Sequence, residues 1–332
     1  MNTTTEKVFK FCGTENSPAF IILVFPSNQY ILNQMLVCVV NFVLVIPAIL
    51  LNGIYLITVL RSRLLRGKIC YFLIGIQSVT DLLVACLTIP SFTYLIYSEI
   101  NGNSSCTTLF VLTTIGLIPG GLSLASLCAI TFERYMGVIR PIFHLNYLTK
   151  KVFIIYMIVS TAILSIGVPY ASRFVLVYYT GMVIVIGISL LVNAAAYIKI
   201  FVAVGQRIQP DNSIRERERS GIKSGRTRLN KRKNILLESK LARSCAFVVI
   251  LFYICYFPGL VASLYFIDTN KLIYRVVHSW YVTNFAINCS LNSIVFFWKR
   301  PILRKETIRV FQKLKRDVFF PKVNVVSTVK ND

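Results

Sequence analysis

The sequence predicts an all-α integral membrane protein, a seven-transmembrane helix bundle with an amphipathic eighth helix. Hydrophobic residues make up 55% of the 332 residues and charged residues 15%, and the charges lie between long apolar runs. A helix crosses a bilayer core of about 30 Å with about 20 apolar residues. Only Pro169 and Arg173 separate the fourth and fifth runs, so six spans with one long bent helix remain an alternative to seven. The seven runs are 34–60, 69–97, 107–137, 152–170, 174–203, 241–266 and 275–298.

The basic residues predict the orientation of the chain. Five of the 36 Lys and Arg residues lie on the amino-terminal side of the membrane, and the other 31 lie on the opposite side. Because translocation of positive residues is unfavourable, the side rich in Lys and Arg is cytoplasmic. We therefore expect a multi-pass plasma-membrane protein with an extracellular amino terminus and a cytoplasmic carboxyl terminus. The net charge of +23 then reflects topology and attraction to anionic inner-leaflet lipids, and nucleic-acid binding is not expected.

Charge and apolar runs divide the chain into three parts. Residues 1–33 form an extracellular segment that has no cleavable signal-peptide pattern, and its apolar stretch 19–25 is too short to span a membrane. Residues 34–298 form the membrane domain, with a basic third cytoplasmic loop at 205–240. Residues 299–332 form a cytoplasmic tail with a helix that lies on the inner membrane surface. Its apolar residues are Ile302, Leu303, Ile308, Val310, Phe311 and Leu314.

The predicted extracellular segments contain two cysteines and two modification sites. Cys12 and Cys106, two of nine cysteines, lie where oxidising conditions permit disulfides. A bridge between them is the simplest pairing, and two free thiols are the alternative. Asn2 and Asn103 each begin an Asn-X-Ser/Thr triplet, so both are candidate glycosylation sites.

Polar residues inside the spans indicate where the bundle has a function, because a charge there costs roughly 2.5–3.5 kcal/mol. Asp81 is the only acid in the middle of a span. Asn288 and Asn292 are four residues apart and share a helix face, and Ser123 lies in the third span. We interpret these four residues as one cluster that holds a sodium ion or a group of waters. Structural hydrogen bonding between helices is the alternative.

The third span ends in an adjacent acid and base, Glu133 and Arg134. An arginine near the inner membrane face needs an anionic partner, and either Glu133 or Glu238, at the start of the sixth span, provides one. An Arg134–Glu238 ion pair would hold the third and sixth helices together. The alternative is an arginine that extends to the membrane surface without a partner.

Five short motifs, in order along the spans, resemble those of the rhodopsin-like (class A) G-protein-coupled receptors. They are LNG at 51–53, SVTDLL at 78–83, ERY at 133–135, FYICYFP at 252–258 and NCSLNSIVF at 288–296. The likeness covers residues 35–315, and the basic helix after the last span resembles the eighth helix of that family. The second span and the short second outer loop also have a weak likeness to the adenosine and melanocortin receptor group.

The resemblance implies roles for the motif residues. Asp81, Ser123, Asn288 and Asn292 would form a sodium pocket. The contact with a heterotrimeric G protein, and the ion pair that restrains it, would involve Glu133, Arg134, Tyr135 and Glu238. The relay between the ligand and that contact would comprise Phe252, Tyr256, Pro258, Tyr197 and Phe296.

Departures from the family pattern leave the ligand open. Tyr256 replaces the usual tryptophan, and Ser293 and Phe296 replace the proline and tyrosine of the seventh-span motif. The second outer loop has no cysteine, so a Cys12–Cys106 bridge would substitute for the disulfide of the family. The third span lacks the aspartate of amine receptors, and the seventh lacks the lysine of opsins.

Small and polar residues in the outer half of the spans are the candidates for a ligand pocket. The glycines among them either open room for a ligand or permit close helix packing. Trp280 and Tyr281 are either pocket residues or interfacial anchors, and Arg173 and Arg275 would attract an acidic ligand. The candidates are Thr113, Gly116, Gly120, Tyr256, Gly259, Ser263, His278 and Val282.

The sequence therefore predicts a receptor, not an enzyme. It would transduce an unidentified extracellular ligand to a heterotrimeric G protein by opening the cytoplasmic end of helix six. We expect no cofactor apart from sodium as an allosteric ligand. One alternative is a ligand-independent or non-signalling partner with the receptor fold, which the altered motifs favour. The other is a small membrane transporter, which would need halves related by a repeat that the sequence lacks.

Overall fold

The computed structural model describes residues 9–14, 17–23, 27–171, 175–208, 246–247, 249–251, 253–262, 264–266 and 271–319. Two strands, β1 (Phe9–Thr14) and β2 (Ser17–Leu23), precede the helices. The bundle contains α1 (Asn28–Arg61), α2 (Ile69–Ile100), α3 (Cys106–Ile139), α4 (Lys150–Ala171) and α5 (Val175–Ile208). It continues with α6 (246–266, apart from its undescribed positions), α7 (Lys271–Lys299) and α8 (Pro301–Phe319). Short helices at Arg63–Arg66 and Pro141–Tyr147 lie in two of the loops.

The seven-helix prediction is confirmed, and each predicted span lies on a helix of its own. Six described helices, α1 to α6, are long and apolar enough to cross a membrane. The seventh, α7, is more polar than the others. A membrane helix tolerates this polarity because many of these polar side chains face the interior of the bundle. Ser279, Thr283, Asn288 and Asn292 are all at most 1% exposed.

Large apolar side chains cover the outside of the bundle. Phe42 on α1, Ile166 on α4 and Leu191 on α5 are each at least 70% exposed. In water such a surface would be unfavourable, whereas lipid tails solvate it without cost. Many polar groups lie inside, where other parts of the chain satisfy most of their hydrogen bonds.

The centre of the bundle is α3, which contacts α2, α4 and α5, while α1 packs along α7. Two adjacent glycines allow close approach. A Cβ atom on Gly120 would lie 2.3 Å from the ring of Phe285, and one on Gly121 would lie 2.8 Å from Leu164. Pro119 precedes them inside the helix. The Pro-Gly-Gly stretch therefore lets both α4 and α7 pack tightly against α3.

An antiparallel hairpin covers one end of the bundle, and the sequence did not predict it. Strand β1 pairs with β2 from Phe9↔Leu23 to Thr14↔Ser17, and β2 contacts α3 and α5. The apolar stretch 19–25, too short to span a membrane, lies mainly in β2. We call this the hairpin end of the bundle.

A disulfide attaches the hairpin to the bundle. Cys12 on β1 is joined to Cys106, the first residue of α3, with their Cα atoms 5.3 Å apart. Leu109, one turn further along α3, packs in the same small apolar cluster as Cys12. This pairing is the one expected to substitute for the family's disulfide.

At the opposite end of the bundle, which we call the basic end, α8 packs against α1 and α7. Glu306 on α8 accepts a 2.7 Å hydrogen bond from the Ser62 hydroxyl, and Thr58 and Thr307 are 3.2 Å apart. Leu303 is fully buried, whereas Ile308 is 58% exposed. The helix therefore packs against α1 through one face and leaves apolar side chains for a membrane surface, as expected for an amphipathic helix.

We expect Cys12→Ser and Cys106→Ser to lower stability by the same amount, about 2–5 kcal/mol, because either change opens the same 94-residue connection. Thermal unfolding of the purified protein in detergent measures the effect. The double variant should be no less stable than either single variant. Cys86→Ser, at an exposed free cysteine, is the control. Unequal losses in the two single variants would show that the cysteines act independently.

Candidate functional site

A cavity of about 50 Å³ lies among α2, α3 and α7 near the hairpin end. Its described lining is mainly aliphatic and aromatic. The lining residues are Thr88, Phe92, Leu95, Ile96, Leu109, Leu112, Thr113, Gly116, Leu117, Tyr274, Arg275, His278, Tyr281, Val282 and Phe285.

One face of α7 forms an aromatic wall of the cavity. Tyr274, His278, Tyr281 and Phe285 follow each other at intervals of three or four residues, so they share a helix face. Neighbouring ring centroids are 5.7–6.2 Å apart. Tyr256 on α6 packs edge-on against Phe285 at 4.5 Å, and so supports this wall from behind.

A widened helical turn in α2 forms the opposite wall. Residues Val84–Thr88 make a π-helical turn just before Pro90. Such turns occur often at functional sites because they redirect side chains locally. The Thr88 hydroxyl donates a 2.6 Å hydrogen bond to the backbone oxygen of Gly116, which joins α2 to α3 beside the cavity.

A buried ion pair closes the cavity toward the hairpin end. Arg275 on α7 donates to the Glu99 carboxylate on α2 at 2.7 Å, and the Tyr30 hydroxyl on α1 donates to the same oxygen at 2.9 Å. The Glu99 side chain is 2% exposed. The sequence predicted that Arg275 would attract an acidic ligand. In the structure its anionic partner is Glu99 of the same chain. Arg173 lies outside the described residues.

The structure brings only part of the predicted pocket together. Thr113, Gly116, His278 and Val282 line the cavity. Gly120 and Gly259 do not, because aromatic rings of α7 occupy the space beside them. A Cβ atom at Gly259 would lie 2.9 Å from the ring of Tyr281. At both positions the glycine permits close packing of a neighbouring ring.

Of the remaining pocket candidates, one lines the cavity and the other described ones do not. Tyr256 lies behind the aromatic wall, and Ser263 is outside the described residues. Trp280 turns away from the cavity and donates to Asn33 on α1 at 3.2 Å. Tyr281 lines the cavity, and its buried hydroxyl has no hydrogen-bond partner among the described residues.

A second polar cluster lies halfway along the bundle, around Asp81 on α2. One carboxylate oxygen accepts from Ser123 on α3 at 3.1 Å, and the other accepts from the Nδ2 atom of Asn292 on α7, also at 3.1 Å. Gln77, one turn before Asp81, donates to the first oxygen at 2.9 Å. Gln77 is a member of the cluster that the sequence did not predict, although its four-residue spacing from Asp81 places both on one helix face.

Asn288 and Asn52 complete this polar layer without touching Asp81. Asn52 on α1 donates to the backbone oxygen of Cys289 at 3.2 Å and accepts from Ser293 at 2.5 Å. Asn288 is fully buried, and its amide has no partner among the residues that the structure describes. Ser293, which replaces the family's proline, thus links α7 to α1.

The basic end of α3 carries the predicted acid and base. Glu133 binds the Arg134 guanidinium through both carboxylate oxygens. His144, in the short helix Pro141–Tyr147, lies 3.1 Å from the same carboxylate. Glu133 is 1% exposed and the Arg134 side chain 14%. Tyr135 packs partly buried against the core, and Glu238 lies outside the described residues.

The described relay residues differ in their burial. Tyr256 and Phe296 are almost fully buried and Tyr197 is 6% exposed, whereas Pro258 faces outward and Phe252 is outside the described residues. Asn284 on α7 donates at 2.7 Å to the backbone oxygen of Cys255, one turn before Pro258.

Two contacts of the relay region were not predicted from the sequence. The Tyr253 hydroxyl on α6 bonds to Ser189 and Asn193 on α5, at 3.1 and 3.3 Å. The Arg300 guanidinium lies 5.2 Å from the centre of the Phe296 ring and 5.4 Å from that of Tyr71. This cation–π contact holds the end of α7 where the family has a tyrosine hydroxyl.

Part of this chain is similar in sequence to known membrane receptors. Residues 51–173 match the family described as 7 transmembrane receptor (rhodopsin family). The D(3) dopamine receptor of Mus musculus is 32% identical over 136 residues, which are 40% of this chain and 27% of that receptor. The matched part of the chain thus corresponds to about a quarter of the relative's length.

These matches support the resemblance to rhodopsin-like G-protein-coupled receptors. The match to the family runs from the second half of α1 through α4, and so includes Asp81, Ser123 and the Glu133–Arg134 pair. The weaker likeness to adenosine and melanocortin receptors stays a prediction.

We expect Gly120→Ala to destabilise the protein by about 1–3 kcal/mol, because the Phe285 ring cannot retreat from its contacts with Tyr256 and Tyr281. Gly116→Ala is the matched control. Its added Cβ atom would lie 3.5 Å from Thr88, which is an ordinary contact. Thermal unfolding of both variants measures the difference, and equal stabilities would contradict the close packing of α3 and α7.

Glu99→Gln should cost about 3–5 kcal/mol of stability, because it leaves the Arg275 guanidinium buried without its anion. Arg309→Gln is the control. It removes an ion pair with Glu306 whose arginine is 77% exposed, and should cost less than about 1 kcal/mol. Adding Arg275→Gln to Glu99→Gln should restore part of the loss. A Glu99→Gln variant as stable as the control would show that the pair does not support the fold.

Proposed function

We propose that the protein is a plasma-membrane receptor that couples an extracellular ligand to a heterotrimeric G protein. The hairpin end, with its cavity, faces outside, and the basic end faces the cytoplasm. The observation that carries the proposal is the Glu133–Arg134 pair at the basic end of α3, the same helix whose other end lines the cavity. A single helix thus connects the cavity to the charged surface at the basic end.

The charge of the two ends supports this orientation. Among the described residues, the basic end carries three arginines between Arg61 and Arg66, and also Lys150. Helix α8 adds further Arg and Lys residues along its length. At the hairpin end the buried Arg275 is neutralised by Glu99. Because positive segments stay on the cytoplasmic side, α8 and its neighbouring loop face the inner leaflet, whose anionic lipids attract them.

The lining of the cavity favours a ligand with an apolar or aromatic body. Most of the described lining is hydrocarbon, and the polar groups are Thr88, Thr113, Tyr274, Arg275, His278 and Tyr281. No carboxylate belongs to the described lining. The mouse D(3) receptor is named for dopamine, an amine, and an ammonium group here would meet no counter-ion in the described lining. We therefore do not extend that ligand to this protein.

Activation would proceed by a shift between two arrangements of the basic end. At rest Glu133 neutralises Arg134, and His144 fixes the same carboxylate from the loop after α3. A ligand that fits the cavity better when the α6–α7 aromatic contacts rearrange would favour the other arrangement. Arg134 would then leave Glu133 and bind the G protein.

A receptor that signals without a ligand is the second candidate. The specific observation in its favour is the tight contact of Tyr256 with Phe285 and Tyr281. In this arrangement the chain's own aromatic rings fill the space behind the cavity, where the family has a tryptophan.

Nucleotide exchange on a panel of heterotrimeric G proteins tests the function. Membranes with the wild-type chain should accelerate exchange on at least one G protein, with or without a ligand from an apolar compound library. Arg134→Ala should abolish that acceleration at equal surface expression. Acceleration without ligand would favour the second candidate. An Arg134→Ala variant as active as the wild type would refute the role given to α3.

The same assay should show higher basal exchange for Glu133→Gln, by several-fold, because a neutral amide holds the guanidinium less tightly than a carboxylate. Glu306→Gln is the matched control. Glu306 is also a hydrogen-bonded acid at the basic end, but it does not contact Arg134, and its variant should retain wild-type exchange. Unchanged exchange in Glu133→Gln would count against the restraint.

A further inference from the structure

We propose that the side-chain amide of Gln77 takes the position of a cation beside Asp81, so that this polar cluster excludes sodium. The cluster is the one that resemblance to the family assigns to a sodium ion. The inference goes beyond the proposed receptor function and does not depend on it, since it concerns only what the middle of the bundle binds.

The amide nitrogen of Gln77 lies between the two groups that a cation would share. Its Nε2 atom is 2.9 Å from the Asp81 carboxylate and 2.8 Å from the Ser123 hydroxyl oxygen. An amide nitrogen carries two hydrogens and no free lone pair, so it donates to both oxygens at once. A cation in that position would accept electron density from the same two oxygens.

The Asp81 carboxylate fixes the orientation of the amide. Nε2 faces the carboxylate, and the Ser126 hydroxyl donates to Oε1 of Gln77. The reversed amide would place Oε1 against the carboxylate, which only accepts hydrogen bonds, and the two would repel each other. Gln77 and Ser126 are at most 1% exposed, so water does not compensate for a broken contact.

The other neighbours of Asp81 also present donors. Asn292 turns its Nδ2 atom toward the carboxylate at 3.1 Å, and the Cys289 thiol donates to the same oxygen as Gln77 at 3.6 Å. Hard cations bind through oxygen lone pairs. A sodium site would require Asn292 to present Oδ1 to the ion that Asp81 binds, and would require the Gln77 amide to leave.

Removal of that amide has a clear cost. Gln77 extends from α2 into the space between α2 and α3, and its two polar atoms are satisfied only by Asp81, Ser123 and Ser126 among the described residues. A sodium ion that displaced it would leave a buried donor and a buried acceptor unpaired, which is unfavourable. The tethered amide therefore outcompetes a free ion whose entry also requires dehydration.

The experiment compares thermal unfolding of the purified chain in sodium chloride and in choline chloride at equal ionic strength. The wild-type melting temperature should be the same in both salts. Gln77→Ala removes the amide and should gain a sodium-specific rise of about 2–4 °C when sodium exceeds its Kd about tenfold. Adding Asp81→Asn to Gln77→Ala should abolish that rise.

Two results would overturn the proposal. The first is a sodium-specific rise in the wild type, a measurement that needs no variant. The second is a Gln77→Ala chain as indifferent to sodium as the wild type, because another group would then exclude the ion. Gln77→Ser, which retains a small polar side chain, replaces Gln77→Ala in the comparison if the alanine variant does not fold.

Discussion

The bilayer supplies no hydrogen bonds, and the arrangement of this protein follows from that constraint. Three of the described buried acids lie in layers along the bundle: Glu99 with Arg275, Asp81 with its donors, and Glu133 with Arg134. Each layer leaves its carboxylate hydrogen-bonded. The first two layers join different helices of the bundle, and the third joins α3 to the short helix that follows it. Between the layers the helices pack through apolar and aromatic side chains.

Two features position the helices beside the cavity, near one of these layers. The π-helical turn at Val84–Thr88 widens α2 locally, and the Glu99–Arg275 pair holds α2 and α7 at a set distance beyond it. Just deeper, Gly120 brings α3 into contact with Phe285 and ends the open space. The small residues of α3 thus define the floor of the cavity, and the large residues of α7 define its wall.

The sequence predicts the helices well and their contacts less well. Long apolar runs identify all seven spans because length and hydropathy are local properties. The Glu99–Arg275 pair is not predicted, since its members are 176 residues apart in the chain and each lies near the end of a span, where charges are common. Gln77 is missed because an uncharged amide does not stand out beside Asp81. The hairpin is missed because β2 is a short continuous apolar stretch, which periodicity does not distinguish from a helix segment.

The link between Cys12 and Cys106 has a consequence for biosynthesis. Cys12 leaves the ribosome 94 residues before its partner, and both α1 and α2 are made in that interval. Until then the Cys12 thiol has no disulfide partner, and the hairpin is not linked to α3, while α1 and α2 enter the membrane. The bond forms only after the start of α3 has been delivered to the same side as the amino terminus, so its presence reports that the first three helices were inserted with the correct topology. A quality-control system that detects the exposed thiol would retain chains in which that insertion failed.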